Sequence, residues 1–265
     1  MHWFLDQPKK LKIGISLSGG GMRGVAHIAV LRALEEYGLK PDVISGTSAG
    51  AIVGAFYAAG KTTDELAEMV KNETFFSRSS IRFSTRGIFN PLFLRNIFKK
   101  YFSEDDFRIM KMPLYVAASE LTQGRIEYFS EGGLFDALMA SASVPFIFPP
   151  VILDGKFYVD GGVLNNLPIE PIRGQCDILI GSHVNSMKPE SISDLSTTKE
   201  LDRIFHLAIS NSVYTKEQNC NIFLNPPDML KYSLLRKESL DVMLEEVYNY
   251  TCQQLEAHQF KKIAR

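Results

Sequence analysis

A serine flanked by glycines lies between a strand-like and a helix-like segment, in the pentapeptide Gly46–Gly50, which reads G-T-S-A-G. The apolar residues Val43 and Ile44 precede it, and a run of small apolar residues follows it. Strand, tight turn and helix in this order form a nucleophile elbow, in which glycines permit a strained turn that exposes the serine hydroxyl. Gly46 and Gly50 would be the elbow glycines, and Ser48 is the candidate nucleophile. Glycine and serine are also common in ordinary turns, so the pentapeptide needs support from its surroundings.

A glycine-rich loop one strand earlier supplies that support. A serine nucleophile needs a group that stabilises the oxyanion formed on its attack. Consecutive glycines leave backbone N–H groups unshielded, and the N-terminus of a following helix adds a positive partial charge. The candidate oxyanion hole consists of Gly19, Gly20, Gly21, Met22, Arg23 and Gly24. A simpler interpretation, that the glycines only allow a tight turn, stays open at this point.

Dinucleotide binding is a competing interpretation of the same loop, because Gly19, Gly21 and Gly24 fit the pattern G-x-G-x-x-G. That pattern expects an acidic residue about 20 residues further on, where it binds a ribose. The end of the second strand carries Ser45 and Gly46 instead. The sequence therefore disfavours a nucleotide site.

The general base is harder to identify from residue types. A catalytic triad would use a histidine, and the chain has five, namely His2, His27, His183, His206 and His258. None stands in a distinctive context. His183, which follows a strand, is the best placed of them, whereas His27 is expected to be a packing residue.

An aspartate is better placed than any histidine. Asp160 ends an apolar strand and is followed by Gly161 and Gly162, at the kind of strand end where α/β folds collect functional groups. The earlier pair Asp154 and Gly155 is explained as the turn of a β-hairpin.

The elements that must position these residues alternate between strands and helices, which predicts a mostly parallel sheet covered on both faces. Strands are predicted over 12–17, 41–44, 114–119, 126–129, 152–153, 157–159 and 178–181. Helices are predicted over 25–37, 51–59, 63–71, 134–140, about 201–216 and 239–258, with Thr63 and Asp64 as N-cap candidates for the third, and residues 186–200 read as a polar loop. No internal repeat or low-complexity linker interrupts this pattern.

Composition limits the choice of partners. A chain of 265 residues with net charge −1 gives no reason to expect nucleic acid. Cys176, Cys220 and Cys252 are odd in number and lack metal-ligand spacing, so neither a disulfide framework nor a metal site is indicated. No apolar run reaches the length of a membrane span, and the N-terminus is too short for a signal peptide. We therefore expect a cytoplasmic protein that meets lipid only from the water side, as a transient contact at a membrane surface.

Taken together, these motifs resemble the patatin-like phospholipase family. Residues 19–24 match its G-G-G-x-R-G loop, 46–50 its G-T-S-A-G elbow, and 160–162 its D-G-G element. The segments 140–145 and 165–168 are also similar to the family. The resemblance covers about residues 13–174, and residues 175–265 would complete the same domain.

The resemblance implies a three-layer α/β sandwich with a mostly parallel central sheet flanked by helices. It also implies a serine–aspartate dyad, in which Ser48 is the nucleophile and Asp160 the base, with no histidine, metal or organic cofactor. The substrates would be fatty-acyl esters of phospholipids or related lipids. An unperturbed aspartate is a weak base, so the site would have to raise its pKa.

Two alternatives to hydrolysis stay open: acyl transfer to an alcohol from the same acyl-enzyme, and a lipid-binding regulator without turnover. A further hypothesis concerns residues 78–102, which mix phenylalanines with basic residues. This segment is expected to pack against the core, and we hypothesise that it also borders the substrate entrance. The basic residues Arg95, Lys99 and Lys100 would then face anionic lipid.

Overall fold

A computed structural model describes residues 10–73, 81–84, 87–89, 92–187, 203–204, 207, 209–210, 212–233 and 239–263. The polar loop predicted for 186–200 falls almost wholly outside these residues, as do His2, His206, Arg78 and much of the helix predicted near 201–216.

One sheet of eight strands forms the centre of the fold. In chain order its strands are β1 (Ile13–Leu17), β2 (Val43–Thr47), β5 (Leu114–Glu120), β6 (Arg125–Phe129), β7 (Val151–Leu153), β8 (Lys156–Asp160), β9 (Ile178–Ser182) and β10 (Ile222–Leu224). A separate hairpin joins β3 (Ile81–Ser84) to β4 (Gly87–Phe89). Strands β10, β9, β1, β2 and β5 are neighbours in that order and parallel, whereas β6, β7 and β8 are antiparallel additions.

Helices and loops cover the sheet on both faces. The helices are α1 (His27–Glu36), α2 (Ala49–Ala58), α3 (Thr63–Asn72), α4 (Leu92–Tyr101), α5 (Leu134–Ser141) and α6 (Leu240–Ala257). Successive strand residues point to opposite faces. Accordingly, Ile44 packs into the large helical core, while its neighbour Val43 packs with Leu167, Ile172 and Leu179 on the other face. The chain is thus a mixed α/β protein with a helix-flanked central sheet, as predicted.

Local chemistry explains where several elements begin. The glycine-rich loop leads into a 3-10 helix over Gly21–Ala26, so α1 starts later than the pattern predicted. Thr62, and not the predicted Thr63 or Asp64, caps α3: its hydroxyl accepts from the Glu65 amide, and the Glu65 carboxylate accepts from the Thr62 amide. The error arose because helical periodicity locates the helix but not the one residue with extended backbone before it.

The hairpin between β7 and β8 has the predicted turn. Asp154 and Gly155 both have positive φ, 49° and 76°, as the favoured two-residue hairpin turns require. Asp160 lies outside this hairpin turn, at the end of β8, where it caps a 3-10 helix over Gly161–Val163. None of the described helices is long and apolar enough to cross a membrane.

Strand β5 determines how the two key strand ends meet. Its residues 116–120 pair along one edge with β6, so β2 and β8 must share the opposite edge. There Thr47, the last residue of β2, pairs with Ala117, and Asp160, the last residue of β8, pairs with Ala118. Because β2 is parallel to β5 and β8 is antiparallel to it, the two strands end head to head.

Candidate active site

The nucleophile elbow is present at the end of β2. Ser48 has φ 53° and ψ −124°, a strained conformation for a residue with a side chain, and α2 begins at the next residue. Only glycine fits at Gly50, because a Cβ there would lie 2.4 Å from the Leu17 carbonyl oxygen. The Ser48 amide donates to the Ser141 hydroxyl at 2.8 Å, which anchors the turn to α5.

Asp160 is held from three directions. Its amide donates to the Ser143 carbonyl at 2.9 Å, its carbonyl accepts from the Ser119 hydroxyl at 2.9 Å, and its carboxylate accepts from the Gly162 amide at 2.7 Å. The Ser48 hydroxyl lies near enough to this carboxylate to lower its pKa. The fold therefore brings the two predicted catalytic residues close together, with the carboxylate oriented by the Gly162 amide.

Burial changes the acid–base character of Asp160. Both Ser48 and Asp160 are buried, with 6% and 7% of their surfaces exposed. Desolvation raises the pKa of the Asp160 carboxyl to about 6, against the lowering effect of hydrogen bonds from Ser48 and Gly162. A carboxylate with this pKa is ionised at neutral pH and still basic enough to take a proton from a nearby hydroxyl.

The glycine-rich loop lies beside the elbow. A Cβ on Gly19 would come within 3.1 Å of the Ser48 Cβ, and one on Gly24 within 2.4 Å of the Ala49 Cβ. The first hydrogen bond of the 3-10 helix is donated by the Arg23 amide to the Gly20 carbonyl. The amides of Gly21 and Met22 therefore precede the helical hydrogen bonds, as do the first amides of any helix. The backbone amides of the six predicted loop residues consequently differ in whether they already donate a hydrogen bond.

Two asparagines support the loop. The Gly19 amide donates to Asn166 Oδ1 at 3.1 Å, so it is already engaged. Asn185 Nδ2 donates to the Gly19 carbonyl at 2.6 Å, and buried Arg23 donates to Asn185 Oδ1 at 3.3 Å and to the Tyr232 carbonyl at 2.9 Å. The arginine in the motif thus contacts two later parts of the chain, at Asn185 and at Tyr232.

His27 also supports this loop. Its Nε2 lies 2.8 Å from the Ser18 carbonyl and its Nδ1 2.9 Å from the Ser182 hydroxyl. Because a carbonyl can only accept, Nε2 carries the proton and Nδ1 accepts from the serine. Burial lowers the pKa of His27 to about 4, so the ring is neutral at physiological pH. His27 is thus buried, as predicted, and it also forms two hydrogen bonds that link the end of β1 to β9.

The other described histidines lie elsewhere. His183 is buried with its ring edge-on to Tyr214, with the ring centroids 6.0 Å apart, and His258 is exposed at the end of α6. The residue that lies beside the Ser48 hydroxyl is Asp160.

A deep apolar cavity opens beside Ser48. Its volume is about 160 Å³, and its lining includes Ser48, Asp160 and the loop residues Gly19, Gly20 and Gly21. Its walls are almost entirely apolar and come from α2, α3, α4 and the segment after α5; they include Val53, Phe56, Met69, Leu94 and Phe148. Such a cavity suits a hydrocarbon chain.

Helix α4 borders this cavity, but its basic residues are largely engaged within the protein. Phe93 and Leu94 line the cavity. Arg95 forms ion pairs with Asp136 and Asp105, and Lys100 forms one with Glu73. The described part of this segment thus agrees with the hypothesis that it borders the entrance. Two of its three basic residues, however, are paired with carboxylates of neighbouring elements.

The fold, the buried serine and aspartate and the apolar cavity define an α/β protein whose site suits a hydrocarbon chain. The chain belongs to the Patatin-like phospholipase family, whose model matches residues 15–173.

Curated relatives agree with this family. The lysophospholipase nte1 of Aspergillus fumigatus is 30% identical over 187 residues, which cover 66% of this chain and 12% of that protein. A protein of Mycobacterium tuberculosis described as an uncharacterized NTE family protein is 33% identical over 180 residues, covering 66% of this chain and 49% of that protein. The chain thus spans only a small part of the fungal relatives and about half of the mycobacterial one.

A solved structure shows the same fold. The crystal structure of VipD from Legionella pneumophila matches with a TM-score of 0.54 at 15% identity, covering 94% of this chain and 67% of that one.

The supporting residues around the dyad were not singled out from the sequence. Ser141 and Asn166 lie in segments noted only as similar to the family, and Asn185 follows the end of β9 without any motif of its own. The position of Asn185 after a parallel strand is the one signal that could have indicated it, because such strand ends gather at the functional edge of the sheet.

Proposed function

We propose that the protein hydrolyses fatty-acyl esters of phospholipids through a Ser48–Asp160 dyad and an acyl-serine intermediate. The observation that carries this proposal is the position of the Ser48 hydroxyl beside a buried carboxylate whose pKa is raised to about 6, both lining the same apolar cavity. Ser48 attacks the ester carbonyl carbon while its proton passes to Asp160. Asp160 then returns this proton to the departing alcohol oxygen, and the acyl group stays on Ser48.

The second half of the reaction uses the same residues. A water molecule gives a proton to Asp160 and attacks the acyl carbon, and the bond to Ser48 breaks. Asp160 then reprotonates Ser48, and the fatty acid leaves. One carboxylate can serve both steps because it is a base when ionised and an acid when protonated.

The oxyanion formed in each half-reaction is assigned to the glycine-rich loop. Among the six predicted residues, the Gly19 amide is engaged with Asn166 and the Arg23 amide with Gly20. We therefore assign the donor role to the amides of Gly20, Gly21 and Met22. The preceding residue, Gly19, is held by Asn166 and Asn185, so little reorganisation of the loop is needed when the charge develops.

A monoacyl phospholipid is the proposed substrate class. The apolar cavity starts at Ser48 and would take the acyl chain, which leaves the polar headgroup towards the mouth. The name of the Aspergillus relative, lysophospholipase, supports this choice. Acyl transfer to an alcohol remains the competing outcome, because it shares the acyl-serine intermediate.

The test is covalent labelling followed by product analysis. A fluorophosphonate probe should label the wild type, and labelling should be lost in Ser48→Ala. Ser45→Ala is the matched control, since this residue lies on the same strand and its buried hydroxyl has no hydrogen-bond partner among the described residues. Mass spectrometry of a lysophospholipid digest containing glycerol should show free fatty acid. Labelling that persists in Ser48→Ala would contradict the proposal, and acyl-glycerol as the main product would favour transfer.

A further inference from the structure

Large apolar side chains are exposed around the mouth of the cavity. We call this set the mouth rim; it consists of Leu92, Phe146, Val163 and Leu164, which are 54%, 86%, 40% and 42% exposed. Single exposed apolar residues are common on protein surfaces and need no explanation. These four differ in their position. Val163 lines the cavity directly, and the other three are chain neighbours of residues that line it.

Phe146 is the most informative member of the rim. The Ile147 amide donates to the Val144 carbonyl at 3.1 Å, which closes a β-turn with Pro145 and Phe146 at its centre. Phe146 has φ 68°. A turn with proline at the first central position and positive φ at the second normally carries glycine or asparagine there. A phenylalanine in this place strains the backbone and buries almost none of its ring, so it contributes nothing to the stability of the fold.

The turn points Phe146 outward from a cavity wall. Val144, Ile147 and Phe148, on either side of it, line the cavity, and the Phe148 ring lies 6.1 Å from that of Phe93 at the start of α4. Val163 both lines the cavity and is exposed. Apolar side chains at Val163 and around Phe146 therefore link the lining of the cavity to the outside of the protein.

We propose that the mouth rim docks on the surface of a lipid bilayer, with the Phe146 ring inserted among the acyl chains. The proposal rests on the proposed function, because an acyl chain that leaves a bilayer for the cavity must otherwise cross water. Docking at the rim gives that chain a continuous apolar path. Docking would rely on apolar contact more than on charge. The α4 residues Arg95 and Lys100 already form ion pairs with carboxylates of the protein itself, namely Asp105, Asp136 and Glu73.

The experiment measures binding to phosphatidylcholine vesicles by co-sedimentation, in a Ser48→Ala background so that the lipid is not consumed. Adding Phe146→Asn should weaken binding about ten-fold, as expected for one large apolar side chain that no longer leaves water. Asparagine tolerates positive φ, so the thermal stability of this variant should be equal or higher. The matched control is Leu11→Asn, which changes a residue that is 52% exposed before the start of β1, at the opposite end of the parallel strands from Ser48.

Activity supplies the second measurement. In the active protein, Phe146→Asn should lower turnover of vesicle lipid about ten-fold and leave hydrolysis of a soluble short-chain ester unchanged. Equal vesicle binding by Phe146→Asn and its parent would overturn the proposal, as would a binding loss of the same size in Leu11→Asn. A change in self-association without a change in vesicle binding would assign the rim to a second copy of the chain instead. If the proposed hydrolysis failed but the binding difference held, docking would stand and the catalytic proposal alone would fall.

Discussion

Replacing the buried carboxylate by its neutral amide, Asp160→Asn, should abolish activity and stabilise the fold at neutral pH. The folded protein holds the pKa of this carboxyl at about 6, whereas its ordinary value is 3.8. A raised pKa means that the ionised form is less favourable in the folded state than in the unfolded one. Each pH unit by which the fold raises the pKa destabilises the ionised form by about 1.36 kcal/mol. The rise from 3.8 to about 6 therefore destabilises the folded protein at pH 8 by about 3 kcal/mol.

The sign of this effect fixes its pH window. Well below about pH 4 the carboxyl is protonated in both states, and the cost is absent. The cost appears as pH rises through the unfolded and then the folded pKa, and it is complete above about pH 6. Asparagine is neutral throughout and can still accept the hydrogen bond from the Gly162 amide with its Oδ1. The variant should therefore gain up to about 3 kcal/mol at about pH 8 and almost nothing at about pH 3.5.

Urea unfolding at the two pH values measures this difference, and a thermal melt at pH 8 should rise by about 6–10 °C in a protein of this size. Hydrolysis should fall by at least about 100-fold, because an amide cannot act as the base. Asp154→Asn is the control, since it makes the same change in the exposed hairpin turn. A variant that is less stable than wild type at pH 8, or one with an equal gain at pH 3.5, would refute the assignment of a destabilised carboxylate.

Three other outcomes follow from the same structure. In the wild type, log kcat/KM should rise with pH to a plateau with a midpoint near 6, because Asp160 must be ionised to act as the base; a flat profile between pH 5 and 8 would exclude it. Gly50→Ala should inactivate the protein, because the new Cβ would lie 2.4 Å from a β1 carbonyl, whereas Gly174→Ala meets no atom within 4 Å and should keep its activity. Thr62→Ala should lower the free energy of unfolding by about 1 kcal/mol in urea titrations, because the capping box with Glu65 is lost, and an unchanged midpoint would show that this cap does not stabilise α3.

Much of the fold could be predicted because its elements carry local signals. Apolar runs of four to seven residues bounded by glycine, proline or serine indicate buried strands, and each of the longer sheet strands was located this way. The Asp154-Gly155 turn was also recognised, because positive φ at two successive residues has a strong residue preference. Periodicity was less informative at element ends, as the N-cap of α3 shows, because the residue before a helix contributes no side chain to its apolar face.

Local signals of this kind could not predict the hydrogen bonds that support the site. Asn166, Asn185 and His27 hold the glycine-rich loop through hydrogen bonds to residues 9 to 166 positions away in the chain. A polar residue of this kind looks the same in sequence whether it faces water or a buried amide. Likewise, basic residues on α4 suggested contact with anionic lipid, but Arg95 and Lys100 have carboxylate partners that only packing brings near.

The sequence by itself determined which functional groups are available. They are a serine on a turn that requires glycine, a loop of unshielded backbone amides, and an aspartate at a strand end. Only the tertiary structure decided that the serine and the aspartate lie close together. Ser48 and Asp160 are 112 positions apart, and they meet because β5 pairs with β2 and then with β8 along one edge, with partners at Ala117 and Ala118. The same packing removes the carboxylate from water and raises its pKa, which turns a weak base into one suited to neutral pH.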